Sequence, residues 1–112
     1  MTDSADVQWT RVCGSDELAV GDRREVQLDN GQLVLVVRTQ EFLRACPADC
    51  PHQETPLLDE AIIDGNILTC PTHYWQWDLS DGDPLEGAEV RLPLYRVREE
   101  AGEIFVGNVE KS

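Results

Sequence analysis

The chain has 112 residues, with 22 acids against 9 bases and a net charge of −13. That length suits one domain, and 41% hydrophobic content supplies a small core, which argues against wholesale disorder. The acidity argues against a nucleic-acid binder or a ligand of anionic membranes, both of which need a basic face. It leaves two readings: solubility alone, or docking to a basic partner.

In chain order, residues 7–13 are predicted as a first strand. Residues 14–21 form a short turn that Ser15 and Asp16 could cap. Residues 24–28 and 32–39 flank Asp29-Asn30-Gly31, whose residues tolerate the positive φ of a hairpin turn. Residues 33–37 are apolar on both faces and are predicted as a central strand. Residues 61–64 and 66–70 make a second hairpin around Gly65, and residues 74–79 run into a turn over 80–84. Residues 94–99 and 103–107 flank Ala101-Gly102 as a last hairpin, and the ends, 1–6 and 108–112, are expected to fray. No sustained helical period appears. Short strands joined by Gly and Pro turns predict an all-β, antiparallel sandwich or barrel. The N-terminus has neither the basic start nor the apolar run of a secretory signal. The longest apolar run, 33–37, is far below the ~20 residues of a membrane helix. The expected compartment is the cytoplasm, where four cysteines point to metal or redox chemistry more than to disulfides.

Both histidines lie just after a cysteine. The pairs are Cys50-Pro51-His52 and Cys70-Pro71-Thr72-His73. Together they offer two thiolates and two imidazoles on two proline-stiffened loops. Zinc fingers pair like ligands, two Cys and then two His. Here each loop offers one of each, which suits a binuclear centre with two Cys on one iron and two His on the other.

On these motifs the sequence resembles the Rieske family, from about residue 9 to 109. The spacing and length resemble the small Rieske ferredoxins. The run Cys50-Pro51-His52-Gln53-Glu54 with Leu57-Leu58 most resembles ferredoxin components of multicomponent diiron monooxygenases, which act on toluene, alkenes or isoprene. The resemblance implies one [2Fe–2S] cluster, with Cys50 and Cys70 on the inner iron and His52 and His73 on the outer. It implies a β-sandwich base with a smaller rubredoxin-like cluster subdomain at about 46–84, within one domain spanning 1–112. It also implies a one-electron carrier, not an enzyme, between a flavin- and NADH-dependent reductase and an oxygenase. A monomer is expected of a carrier that visits two partners in turn. The alternatives are a ferredoxin of a ring-hydroxylating dioxygenase and a zinc-stabilised interaction module.

High-potential Rieske proteins carry an extra disulfide, whose positions here are Thr55 and Thr72. They also carry Ser and Tyr hydroxyl donors, whose positions here are Trp75 and Trp77. Without those donors the reduced cluster is less stabilised. The potential is expected toward the low end of the Rieske span, about −150 mV. Cys13 and Cys46 are expected as packed thiols and Trp9 as core. Trp75 either packs the ligand loop or faces the partner. Pro93 or Pro84 would close over the cluster. Residues 45–90 hold ten of the acids and no base, so −10 of the −13 lies on the stretch that carries all four candidate ligands. That distribution favours docking through an acidic cluster-bearing face.

Overall fold

The computed structural model describes residues 8–49, 57–71, 74–85 and 87–110. Among the described residues nine strands form two sheets, and every pairing is antiparallel. The strands are β1 (Trp9–Gly14), β2 (Arg23–Gln27), β3 (Leu33–Arg38), β4 (Leu43–Pro47), β5 (Ile62–Asp64), β6 (Ile67–Cys70), β7 (Trp75–Asp78), β8 (Tyr95–Glu100) and β9 (Glu103–Glu110). The larger sheet has the order β1-β9-β8-β4-β3-β2, and the smaller is β5-β6-β7. One helical turn, α1 (Leu57–Glu60), precedes β5. Among the described residues no helix is long and apolar enough to cross a membrane.

β3 organises the core. Its residues Val34 to Val37 are all fully buried, and alternation sends them to opposite faces. Leu35 and Val37 join Cys46, Leu57, Leu68, Cys70, Trp77 and Leu92 in one apolar cluster. Val34 and Val36 join Cys13, Leu18, Leu28, Ala45, Ile104 and Val106 in another. Burying each such Val or Leu is worth roughly 1.5–3 kcal/mol. The first cluster seats β5–β7 on the larger sheet, and the second closes β1 and β9 over its other face.

The expected hairpins form where turn residues allow them. Gly31 takes φ +90, while Asn30 Oδ1 accepts from Gln32 N at 3.0 Å, so only the glycine of Asp29-Asn30-Gly31 uses positive φ. Ala101 and Gly102 both take positive φ, the paired requirement of a tight two-residue turn.

Three expectations are corrected, and one strand was not foreseen. The cap on residues 14–21 is absent: Ser15–Glu17 is a 3-10 turn preceded by Gly14, with no side-chain cap bond. Residues 108–110 belong to β9, because Asn108 N donates to Gln8 O at 3.1 Å and Glu110 pairs with Tyr95. Trp9 is half-buried and outside both core clusters, with the Arg98 guanidinium 4.6 Å from its ring centroid. β4 was not foreseen, since Arg44 and Pro47 interrupt its apolar pattern.

Candidate metal centre

Of the four predicted ligands, Cys70 is described. Cys50, His52 and His73 lie outside the described residues. Cys70 ends β6 and is fully buried. In register, Cys70 pairs with Trp75 and Leu68 with Trp77, so alternation turns all four toward the first core cluster. The two indoles meet edge-on, with centroids 6.1 Å apart at 63°. Cys70 is in no disulfide. A soft sulfur shielded from water at the mouth of a turn fits a thiolate ligand of an iron–sulfur group.

The residues on either side of the other predicted ligand stretch meet. Leu57 N donates to Ala48 O at 2.8 Å, which joins the described residues flanking 49–56. Leu57 is fully buried in the same cluster as Cys70. Leu57, which follows one predicted ligand stretch, and Cys70, which begins the other, therefore share one packed core. Among the described residues no group of three or more metal-ligating side chains occurs.

Two arginines of the larger sheet hold this unit, and neither role is legible from sequence alone. From β2, Arg23 donates to Leu57 O at 3.3 Å and to Ala61 O. From β4, Arg44 donates through Nε to Leu79 O at 3.0 Å and through Nη2 to Ser80 O at 3.2 Å, while its guanidinium stacks on Phe42 at 3.9 Å. Burial lowers the pKa of Arg44 from its ordinary value. The turn after β7 is closed by Asp78, whose Oδ1 accepts from Ser80 N at 2.9 Å and Ser80 Oγ at 2.7 Å. Those bonds hold the Asp78 carboxyl below the usual carboxylate range.

The remaining cysteines are packed thiols, as expected. Cys13 and Cys46 are buried in opposite clusters, and burial pushes the Cys46 thiol up to about 12. Of the two openings for Trp75, packing prevails: it lies half-buried against the core. The exposed aromatic is its neighbour Tyr74, which sequence reasoning missed. Trp77 is fully buried and donates its Nε1–H to Val90 O at 2.8 Å. Pro84 bridges Trp77, while Pro93 sits between the core residues Leu92 and Leu94.

The Rieske [2Fe-2S] domain profile matches residues 8–96. The chain belongs to that family. It is 32% identical over 99 residues to the ferredoxin subunit of methanesulfonate monooxygenase from Methylosulfonomonas methylovora, a match covering 88% of this chain and 80% of that one. It is 26% identical to the ferredoxin component of the alkene monooxygenase system of Xanthobacter autotrophicus, over 91% and 83% of the two chains. Its fold matches a chain in the solved complex of reduced oxygenase and oxidized ferredoxin in carbazole 1,9a-dioxygenase, at a TM-score of 0.84 and 25% identity. That match covers 93% of this chain and 96% of the other. The Rieske cofactor is one [2Fe–2S] cluster, which sets aside the zinc reading. When bound, such a cluster takes up and releases one electron at a time. With ferredoxin components as relatives over most of their length, this Rieske protein is an electron carrier and not itself a catalyst.

Proposed function

We propose that the chain accepts electrons from an NADH-dependent flavin reductase and delivers them to the hydroxylase of a multicomponent diiron monooxygenase acting on hydrocarbons. In this reading Cys50 and Cys70 hold the inner iron, and His52 and His73 the outer. The cluster-binding subdomain spans about residues 46–84, inserted in the β-sandwich base. The protein works as a monomer in the cytoplasm, a compartment consistent with Cys13, Cys46 and Cys70 standing in no disulfide.

The observation that carries the reading is the buried Cys70 at the start of one predicted ligand stretch, in the same core cluster as Leu57, which follows the other. The likeness to the alkene monooxygenase ferredoxin favours the hydrocarbon hydroxylase. A second reading, service to a ring-hydroxylating dioxygenase, is favoured by the likeness to the chain from the carbazole dioxygenase complex. Reconstitution decides between them. The purified holo-protein is combined with a flavin reductase and, in parallel, with a diiron hydroxylase and a ring-hydroxylating dioxygenase, and product is measured in each. Product with the dioxygenase alone would replace the first reading by the second. For the ligand set, metal analysis of Cys50→Ser and Cys70→Ser is expected to find the iron and acid-labile sulfide lost. Retention of both elements would refute the assignment.

A further inference from the structure

Tyr74 is the most exposed large apolar side chain among the described residues, at 68% of its full accessibility. Its backbone is also the less comfortable kind, with φ 58. The left-handed region costs a residue with a Cβ about 1–2 kcal/mol, and a bulky side chain there is an outlier. The other described non-glycine residue with positive φ is Ala101, where a hairpin turn demands it. Tyr74 lies in a turn just before β7 and its ring is outside the core clusters, so a left-handed backbone and exposure coincide at one aromatic residue next in sequence to His73.

Pro84, Leu85 and Val90 lie against β7, and Gly87 against this residue. Leu85 N donates to Gln76 O at 2.8 Å, and Val90 O accepts the Trp77 indole N–H. Gly87, at φ +83, lies against the Tyr74–Trp75 backbone: a Cβ there would stand 3.6 Å from Tyr74 O. Leu85 and Val90 are themselves exposed. Glu89 on this stretch, and Asp81 in the turn after β7, are exposed and enter none of the ion pairs among the described residues. Leu85 and Val90 thus add exposed apolar surface beside the strand that Tyr74 precedes, with exposed carboxylates nearby in sequence.

We propose that Tyr74, Leu85 and Val90 are the contact patch for the oxygenase, which presents a shallow apolar recess edged with Arg and Lys. This rests on the carrier function proposed above. Aromatic anchors supply most of the binding strength of such interfaces, while the charged rim steers encounter. Charge complementarity selects the partner: residues 45–90 have no base with which to meet an acidic surface.

The test is steady-state oxygenase turnover at varied concentration of the holo-protein. Tyr74→Asn removes the ring but tolerates the left-handed backbone. It is expected to raise KM for the ferredoxin about tenfold. Its kcat, visible spectrum and midpoint potential should match the parent. Tyr74→Phe should keep the parent KM, and Leu85→Ser and Val90→Ser should each raise it. An unchanged KM in Tyr74→Asn, or loss of its cluster, overturns the proposal, as does an unchanged KM in both serine variants. If the parent holo-protein supports turnover with no oxygenase of either class, the carrier reading itself fails and takes the patch with it. That failure is visible before any variant is made.

Discussion

Replacing Arg23 with Met tests how the larger sheet holds the first predicted ligand loop. The Arg23 guanidinium donates to Leu57 O and Ala61 O, at either end of α1. Leu57 O also accepts from Ala61 N at 3.1 Å, so it keeps a partner in the variant. Ala61, buried, loses its Arg23 donor. A buried carbonyl left unsatisfied costs about 1–3 kcal/mol. Met retains an apolar stem of similar reach, so the packing loss is small. The expected destabilisation is about 2 kcal/mol, which multiplies the opened population roughly 30-fold.

Two measurements read that figure. Urea unfolding of the holo-protein should show a lower midpoint at constant slope. The visible absorbance of the cluster should bleach about 30-fold faster under a chelator, if cluster loss passes through opening of this loop. Arg24→Met is the internal control. Arg24 is the next residue but points outward, 3.9 Å from Glu17, and exposed pairs of that kind contribute about 0–1 kcal/mol. If Arg23→Met were no more destabilising than Arg24→Met, the clamp would not exist.

Four further outcomes are expected. Gly82→Ala, at φ +80, would drive a Cβ into Leu92 O, whereas Gly31→Ala, at φ +90, meets nothing within 4 Å. The first should lower the thermal midpoint clearly more than the second, and equal losses would mean that only the dihedral matters. Glu99 is held below the usual carboxylate range by its hydrogen bond from Arg38. A depressed carboxyl contributes stability above its unfolded pKa of about 4.3 and loses it as pH falls through the folded value. Glu99→Gln should therefore be less stable than the parent near neutral pH, with the gap closing in acid, and a gap that persists at about pH 2 would count against the pair. In a redox titration the midpoint should fall near the low end of the Rieske span, about −150 mV, and a value above about +100 mV would contradict it. Trp77→Phe should leave that midpoint unchanged, because the Trp77 N–H already serves Val90 O.

The hairpins were legible because their turns are written in local residue types. Gly31, Gly65 and the Ala101-Gly102 pair sit at the positive φ their positions demand. β3 was legible as a run apolar on both faces, and two core clusters use those faces. β4 was not, because Ala45 and Cys46 serve opposite clusters while Arg44 and Pro47 break the pattern around them. Trp9 misled in a different way. Its ring is covered by a guanidinium from a strand remote in sequence, which no local pattern reveals. The predicted ligand loops stood out because Cys and His are scarce and their spacing is chemical. Arg23 and Arg44 did not, because each bonds backbone carbonyls far along the chain, leaving no complementary charge to read.

Those two arginines also sharpen the meaning of the charge. Residues 45–90 have no base of their own, so any cation that reaches them comes from elsewhere in the chain. Arg23 and Arg44 reach in, but their bonds go to Leu57, Ala61, Leu79 and Ser80 carbonyls, on the side packed against the larger sheet. Among the described acids of this stretch, Arg91 neutralises Asp83 by an ion pair, whereas Asp49, Glu60, Asp64, Asp81 and Glu89 are exposed and enter no ion pair. The fold thus separates two tasks. Guanidinium groups satisfy backbone acceptors where the unit meets its base, and carboxylates stay outward and unscreened by internal partners. A surface arranged only for solubility would have no need of this separation, since interspersed charges of both signs serve that end. A carrier that must find a basic surface, transfer one electron and leave gains from it. Long-range attraction raises the encounter rate, while exposed charges seldom add enough affinity to hold the complex together.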